Sequence, residues 1–182
     1  MNKPTVLIFA GPNGSGKSTI SDNYPIKGIY VNADEIKRYR GCSDLEAAEE
    51  AEVLRESLLR SLKDFTFETV LSSERNIILL EKAKKAGFNI ESIFVLTVDV
   101  ELNIKRVKSR VLMGGHDVTE DKIRSRYNKS LKNLRKLVEI SDKCVVVDNT
   151  DHPEIIYMKD TDSEICLSND FWDECDIRGL IE

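Results

Sequence analysis

The segment that most constrains this chain is Gly11-Pro12-Asn13-Gly14-Ser15-Gly16-Lys17-Ser18-Thr19. It satisfies the pattern G-x-x-x-x-G-K-[ST], the Walker A phosphate loop. It follows a β-branched and aromatic run at 4–10 that reads as a buried strand, and a helix is predicted from Lys17, so the motif sits in its proper strand–loop–helix context. Glycines 11, 14 and 16 let backbone N–H groups converge on a β-phosphate, and the helix N-terminus adds partial positive charge. Lys17 is expected on the β and γ oxygens. Ser18 offers a hydroxyl to Mg²⁺, which prefers oxygen ligands and keeps several waters. ATP and Mg²⁺ are the cofactors this implies, with residues 11–19 as the nucleotide site.

Strands alternate with helices along the rest of the chain. Further strands are predicted at 28–32, 65–70, 90–98 and 143–147. Helices are predicted from an Asp44 N-cap to about 62, with Ala48, Ala51, Arg55, Leu58 and Leu62 on one face, at 73–86 closed by Gly87, and from 99 or 100 to about 113. After a break at Gly114-Gly115 a long amphipathic helix resumes beyond Thr119, with Ile123, Tyr127, Leu131, Leu134 and Val138 as its stripe. Segments 155–159 and 164–167 flank Asp160-Thr161-Asp162-Ser163 as an antiparallel edge hairpin. The fold class is α/β: a P-loop kinase-like three-layer arrangement with a five-stranded, mainly parallel sheet, a helical lid at about 106–127 and a C-terminal hairpin with an acidic tail at about 153–182. One domain over 1–182 suits the length. Such sheets bind ligands beyond the carboxyl ends of their strands.

Composition removes several alternatives. The longest apolar run, Val6 to Ala10, is far below the ~20 residues of a spanning helix or the ~7 to 15 of a signal-peptide core. Cys42, Cys144, Cys166 and Cys175 contain no C-x-x-C pair, so neither a zinc site nor a disulfide framework is expected. A cytoplasmic protein with no membrane partner is the expectation. The net charge of -5 gives no general reason to bind nucleic acid. Its distribution says more: between Asn103 and Lys136 there are 11 Lys/Arg against Asp117, Glu120 and Asp121, a local +8 that leaves -13 for the remainder. Alone, that segment reads as a solvated basic surface; beside a phosphate loop it reads as an anion-binding one.

A guanine reader of the N-K-x-D type is absent, since Asn2-Lys3 and Asn128-Lys129 both lack the Asp, and Leu71-Ser72-Ser73-Glu74-Arg75 does not match an L-S-G-G-Q signature. Asp34 lies 17 residues after Lys17, at the end of the second strand, where phosphoryl acceptors bind in small kinases. A carboxylate there orients an acceptor hydroxyl and takes its proton; the competing reading is an N-cap for residues 35–39. Glu68 and Thr69, at the end of the third strand, face the same crevice as acceptor ligands, with an ion pair to a lid arginine as the alternative for Glu68. Arg106 and Arg110 are spaced i, i+4, Gly114-Gly115 forms a hinge shaped by His116, and Arg124 and Arg126 open the next helix. Arg106 would stack on adenine, while Arg110 and Arg124 or Arg126 hold phosphates. The function expected is an ATP-dependent kinase acting on a hydroxyl. The alternatives are a nucleotide-switched binding protein with slow hydrolysis, and a nucleic-acid-end kinase, which is disfavoured because no aromatic stacking surface interleaves the basic segment.

Over residues 4 to about 150 the chain resembles the short bacterial branch of the zeta-toxin family of P-loop kinases. The resemblance rests on the phosphate loop, Asn32-Ala33-Asp34-Glu35, Phe67-Glu68-Thr69, the 106–110 arginines, Gly114-Gly115-His116-Asp117-Val118, Arg124-Ser125-Arg126-Tyr127 with Ser130-Leu131 and Asn133-Leu134, and Asp148-Asn149. It implies Asp34 as general base, lid arginines on the γ-phosphate, Glu68 on the acceptor, and UDP-N-acetylglucosamine as the molecule phosphorylated. Thr69-Val70-Leu71-Ser72-Ser73 lacks the arginine of the larger toxins' acceptor loop, which leaves the acceptor open. No extra helical segment is expected as an attached antitoxin, so the antitoxin implied is a separate protein.

Overall fold

In the computed structural model, which describes residues 3–115 and 117–182, the first apolar run becomes strand β1 (Thr5–Ala10), buried from Val6 to Ala10. Strands β2 (Ile29–Val31), β3 (Phe65–Thr69), β4 (Asn89–Leu96) and β5 (Lys143–Asp148) run parallel to it in the order β2-β3-β1-β4-β5. The hairpin of β6 (Glu154–Lys159) and β7 (Glu164–Cys166) is antiparallel and lies at the edge, as expected; it hydrogen-bonds to β5, so the five expected strands become a sheet of seven. Because β1 is covered on both sides, its apolar residues run on without polar alternation, as parallel strands do.

The two faces are covered unequally. On one, Val6, Ile8, Phe65, Phe67, Phe94 and Leu96 pack under helices α3 (Asp44–Arg60), α4 (Arg75–Lys85), α6 (Glu120–Ile140) and α7 (Glu174–Ile181). On the other, Leu7, Phe9, Ile93, Val95 and Val147 meet little more than Ile20 of the five-residue helix α1 (Lys17–Ser21), and Tyr24 edge-on against Phe9. Farther along this face, Ile155, Met158 and Ile165 are 41–50% exposed. A third cluster, Ile104 and Val107 of α5 (Val100–Leu112) with Ile123 of α6 and flanking Val100, Val111 and Val118, gives the α5–α6 arm its own small core.

Several local expectations shift. Helix α3 is capped by Ser43 in a capping box with Glu46, not by Asp44, and buries Ala47, Ala51 and Leu58; Ala48 is exposed, and Leu62 lies past the helix end with φ 51°. Helix α2 (Ala33–Arg40) is capped by Asn32. Helix α7 was not anticipated: Ile177, Leu180 and Ile181 dock on the main core behind an Asp173–Asp176 capping box. His116, assigned to the hinge, lies outside the described residues. Among those residues no helix is long and apolar enough to cross a membrane.

Candidate active site

The phosphate loop leaves the carboxyl end of β1 and is pressed against its neighbours by glycine. A Cβ on Gly11 (φ 139°) would lie 2.0 Å from the Val95 carbonyl oxygen, and one on Gly14 (φ 79°) 2.5 Å from that of Asn103 in α5. No other residue lets the backbone approach β4 and α5 so closely. Asn149, just past β5, donates from Nδ2 to the Ser15 carbonyl at 2.8 Å and fixes the loop from the far side. The Ser15 hydroxyl is buried with no partner among the described residues. Such an orphaned polar atom inside a cradle of backbone N–H groups fits a site made for a polyanion.

Lys17 donates from Nζ to the carbonyls of Gly11 and Pro12, at 2.8 and 2.9 Å. Burial pushes its pKa down to about 8; the nearby Glu68 carboxylate opposes the shift and the Arg110 guanidinium adds to it. The folded state therefore binds this proton less tightly than the unfolded state. The resulting cost to stability is full below pH 8 and is relieved as pH rises from 8 towards 10.5. Lys17→Met should accordingly stabilise the nucleotide-free protein by about 2 kcal/mol at pH 7. Urea unfolding should show that advantage shrinking between pH 8 and 10; an advantage constant with pH would mean that the lysine charge is not its source.

Beside Lys17, Glu68 at the end of β3 is held by hydroxyls. It accepts from Ser21 Oγ at 2.5 Å, Tyr30 OH at 2.6 Å and Ser18 Oγ at 3.3 Å. These three hydroxyls are its hydrogen-bond donors, and the Lys17 ammonium lies near enough for the two charges to act on each other. Burial, and then the Glu68 carboxylate, push the Tyr30 phenol well above its ordinary range. Tyr30 and Ser21 were not singled out from the sequence. The register that sets Tyr30 opposite Thr66 places it on the same sheet face as Glu68, a period-two relation visible only once the strands are paired. Ser18 Oγ beside a carboxylate is an all-oxygen pair of the kind that holds Mg²⁺ together with phosphate oxygens and water.

Asp34 is the second residue of α2 and is exposed at the carboxyl end of the sheet. Its N–H donates to Asn32 Oδ1 at 2.9 Å, so the cap is Asn32 and the capping alternative for Asp34 is not realised. The Thr69 hydroxyl is engaged in its own loop, accepting from the Leu71 N–H at 3.0 Å and from Asn76 Nδ2 at 2.8 Å.

Four arginines of the α5–α6 arm have different surroundings. Arg106 spans two carbonyls of the β5–β6 loop, Nη1 to Asn149 at 2.8 Å and Nη2 to Thr150 at 3.0 Å, which lays its guanidinium along one flank of the phosphate loop. Thr150, also missed from the sequence, is in turn tied to buried Asp148. Arg110 is near enough to Lys17 to bear on its titration. Arg126 reaches from α6 to Asn13 Oδ1 at 3.5 Å. Arg124 instead forms a two-pronged ion pair with Glu101 of α5. Lys17, Ser18, Glu68, Arg110 and Arg126 therefore gather at one end of the sheet, with Arg106 on the flank, and Arg124 does not join them.

A family model described as Zeta toxin matches residues 1–162. A Haemophilus influenzae (strain ATCC 51907 / DSM 11121 / KW20 / Rd) protein, described only as uncharacterized, is 32% identical over 127 residues, covering 66% of this chain and 91% of that protein. Among solved structures, the AvrRxo1-ORF1:ORF2 complex with ATP superposes with TM-score 0.68 at 15% identity, over 90% of this chain and 60% of that one, so this chain spans less than two thirds of it. The PezAT chromosomal toxin–antitoxin system of Streptococcus pneumoniae superposes with TM-score 0.62 at 18% identity, over 99% and 84%. The Pnkp1/Rnl/Hen1 RNA repair complex does so with TM-score 0.57 at 20% identity, over 71% and 44%. At these identities the structural likenesses establish the P-loop kinase fold.

Proposed function

The chain belongs to the zeta-toxin family, and from that premise we propose that it is a cytoplasmic kinase that transfers the γ-phosphoryl group of ATP to a hydroxyl of a small molecule, with UDP-N-acetylglucosamine as the leading acceptor. The observation that carries this reading is the meeting of cations from three elements at the phosphate loop: Lys17 from α1, Arg110 from α5 and Arg126 from α6. Phosphoryl transfer asks a protein chiefly to position reactants and to stabilise charge on the transferring group, and this arrangement is suited to that task. Ser18 and Glu68 would hold Mg²⁺, which when bound neutralises phosphate charge. Asp34 orients the acceptor hydroxyl and takes its proton, with Glu68 and Thr69 beside it. Arg106 stacks on adenine. The α5–α6 arm, residues 106–127 of a single 1–182 domain, closes on the Gly114-Gly115 hinge and keeps water from the γ-phosphoryl group.

A toxin–antitoxin system among the structural neighbours supports a separate antitoxin protein as partner. Nucleic acid as acceptor is set aside because Tyr127, the one Phe, Tyr or Trp between residues 103 and 136, is buried and donates its hydroxyl to the Thr97 carbonyl at 2.6 Å, so its ring is not offered to a base. The test is transfer from γ-labelled ATP with Mg²⁺ to a panel of nucleotide sugars, simple sugars, nucleosides and oligonucleotide ends. One labelled acceptor is the expected outcome; label found only as slowly released inorganic phosphate would replace the kinase with a nucleotide switch.

A further inference from the structure

The two acidic groups of the proposed reaction, Glu68 and Asp34, leave neighbouring strands and are joined by a line of hydrogen bonds. Tyr30 and Asn32 are two residues apart where β2 runs out, so they share a face, and the pairing of Tyr30 with Thr66 turns that face the same way as Glu68. Tyr30 OH donates to Glu68 Oε1 at 2.6 Å. Asn32 Nδ2 donates to the Tyr30 oxygen at 3.3 Å, and Asn32 Oδ1 accepts from the Asp34 N–H at 2.9 Å. On the other side of the carboxylate, Ser21 Oγ donates to the same Oε1 and Ser18 Oγ to Oε2. The line therefore runs unbroken from the phosphate-loop serine to the first turn of α2.

Its direction is forced by the donor inventory. An ionised carboxylate only accepts, so the phenol spends its one proton on Glu68. Burial and that same carboxylate keep the phenol protonated. The phenol oxygen is then left as an acceptor, which selects the NH₂ end of the Asn32 amide and turns the carbonyl end to the Asp34 N–H. Only in that orientation does Asn32 cap α2. Shape cannot make the choice, because the two ends of an amide are almost the same size. A cleft of about 210 Å³ between β2, α2 and α3 borders both Tyr30 and Asn32 and leaves the amide room to turn.

Resting on the kinase reading, we propose that Tyr30 is a positioning residue: its hydroxyl turns Glu68 Oε2 towards Ser18 Oγ, the oxygen pair suited to Mg²⁺, and through Asn32 it sets the first turn of α2, which presents Asp34 to the acceptor. Ser21 shares the first task and has no part in the second. No proton moves along the line; what passes is orientation. The metal-binding carboxylate and the proton acceptor are thereby held in one frame, and loss of a single hydroxyl disturbs both ends of it.

The test uses the full chain with no acceptor present. Titration calorimetry measures a non-hydrolysable ATP analogue with and without Mg²⁺, and the ratio of the two affinities reads the contact between metal and protein. Hydrogen exchange followed by NMR reads the Asp34 amide. Tyr30→Phe should shrink the Mg²⁺ ratio about tenfold or more, leave the Mg²⁺-free affinity unchanged and speed exchange of the Asp34 N–H. Ser21→Ala should shrink the ratio without touching that amide, so it tests the metal arm by itself. Tyr24→Phe, which takes a hydroxyl from a ring packed edge-on against Phe9, should change neither. Equal melting temperatures control for folding. An unchanged ratio or an unchanged Asp34 amide in Tyr30→Phe, a fall in its Mg²⁺-free affinity, or exposure of the Asp34 amide by Ser21→Ala overturns the proposal. In the transfer assay Tyr30→Phe should lower kcat about ten- to a hundredfold, with KM for the acceptor moving less. Failure of the kinase reading is separately visible: ratio and amide both respond to Tyr30→Phe, while wild type passes label to no acceptor.

Discussion

Asp34→Asn is expected to lower phosphoryl transfer about a hundred- to ten-thousandfold while leaving ATP affinity within about twofold, the signature of a lost proton acceptor and not of a lost binding group. The substitution is nearly isosteric, and the local structure does not depend on the carboxylate. The cap of α2 is Asn32, and the bond from residue 34 to that cap is made by its backbone N–H, which asparagine retains. An asparagine can still hydrogen-bond an acceptor hydroxyl but cannot take its proton, so KM for the acceptor should move less than kcat. The measurement pairs the γ-label assay with calorimetric titration of ATP. Full activity in the variant would remove Asp34 from the chemistry and leave it as an exposed first-turn acid that favours the helix dipole.

The second large effect separates two arginines that the sequence could not rank. Arg126→Ala should lower kcat about a thousandfold at saturating ATP, the scale of an arginine that stabilises charge on a transferring phosphoryl group. Arg124→Ala should cost less than about tenfold, because Arg124 is held by Glu101 in an exposed, solvent-screened pair away from the phosphate loop. The comparison is made with one acceptor and both variants at matched melting temperature. If the order were reversed, Arg124 would have to leave Glu101 on closure, and the assignment of Arg126 to the phosphate would fall.

The phosphate loop and parallel sheet could be read from the sequence because each is over-determined: the loop by glycines, lysine and hydroxyl at fixed spacing, the sheet by strands alternating with helices. What escaped was relational. The buried face of α3 is set by how the helix rolls on the sheet, and Ala47 and Ala48 are equally apolar, so composition cannot choose between them. Helix α7 was hidden by the acidic character of its segment, although its Ile177, Leu180 and Ile181 spacing was present. Tyr30 and Ser21 became site residues only through strand pairing and the return of α1 towards Glu68. Arg124 and Arg126 lie two apart and therefore point about 200° away from each other round the helix, a separation that favours one as phosphate ligand without saying which.

The unequal covering of the sheet has an energetic corollary. On the working side the strands are roofed by a single helical turn and a glycine-rich loop, so the polyanion that the loop is built to hold acts as a missing piece of that roof. Whatever binds only the folded form deepens its well by mass action, about 2.7 kcal/mol when present at a hundred times its dissociation constant. On the proposed function, the stability of this half of the protein would follow the ATP supply of the cell: opening would be frequent when nucleotide is scarce and suppressed when it is abundant. The same scarcity would leave the thin face most accessible to proteases, so persistence of the protein and its capacity to act would rise and fall together.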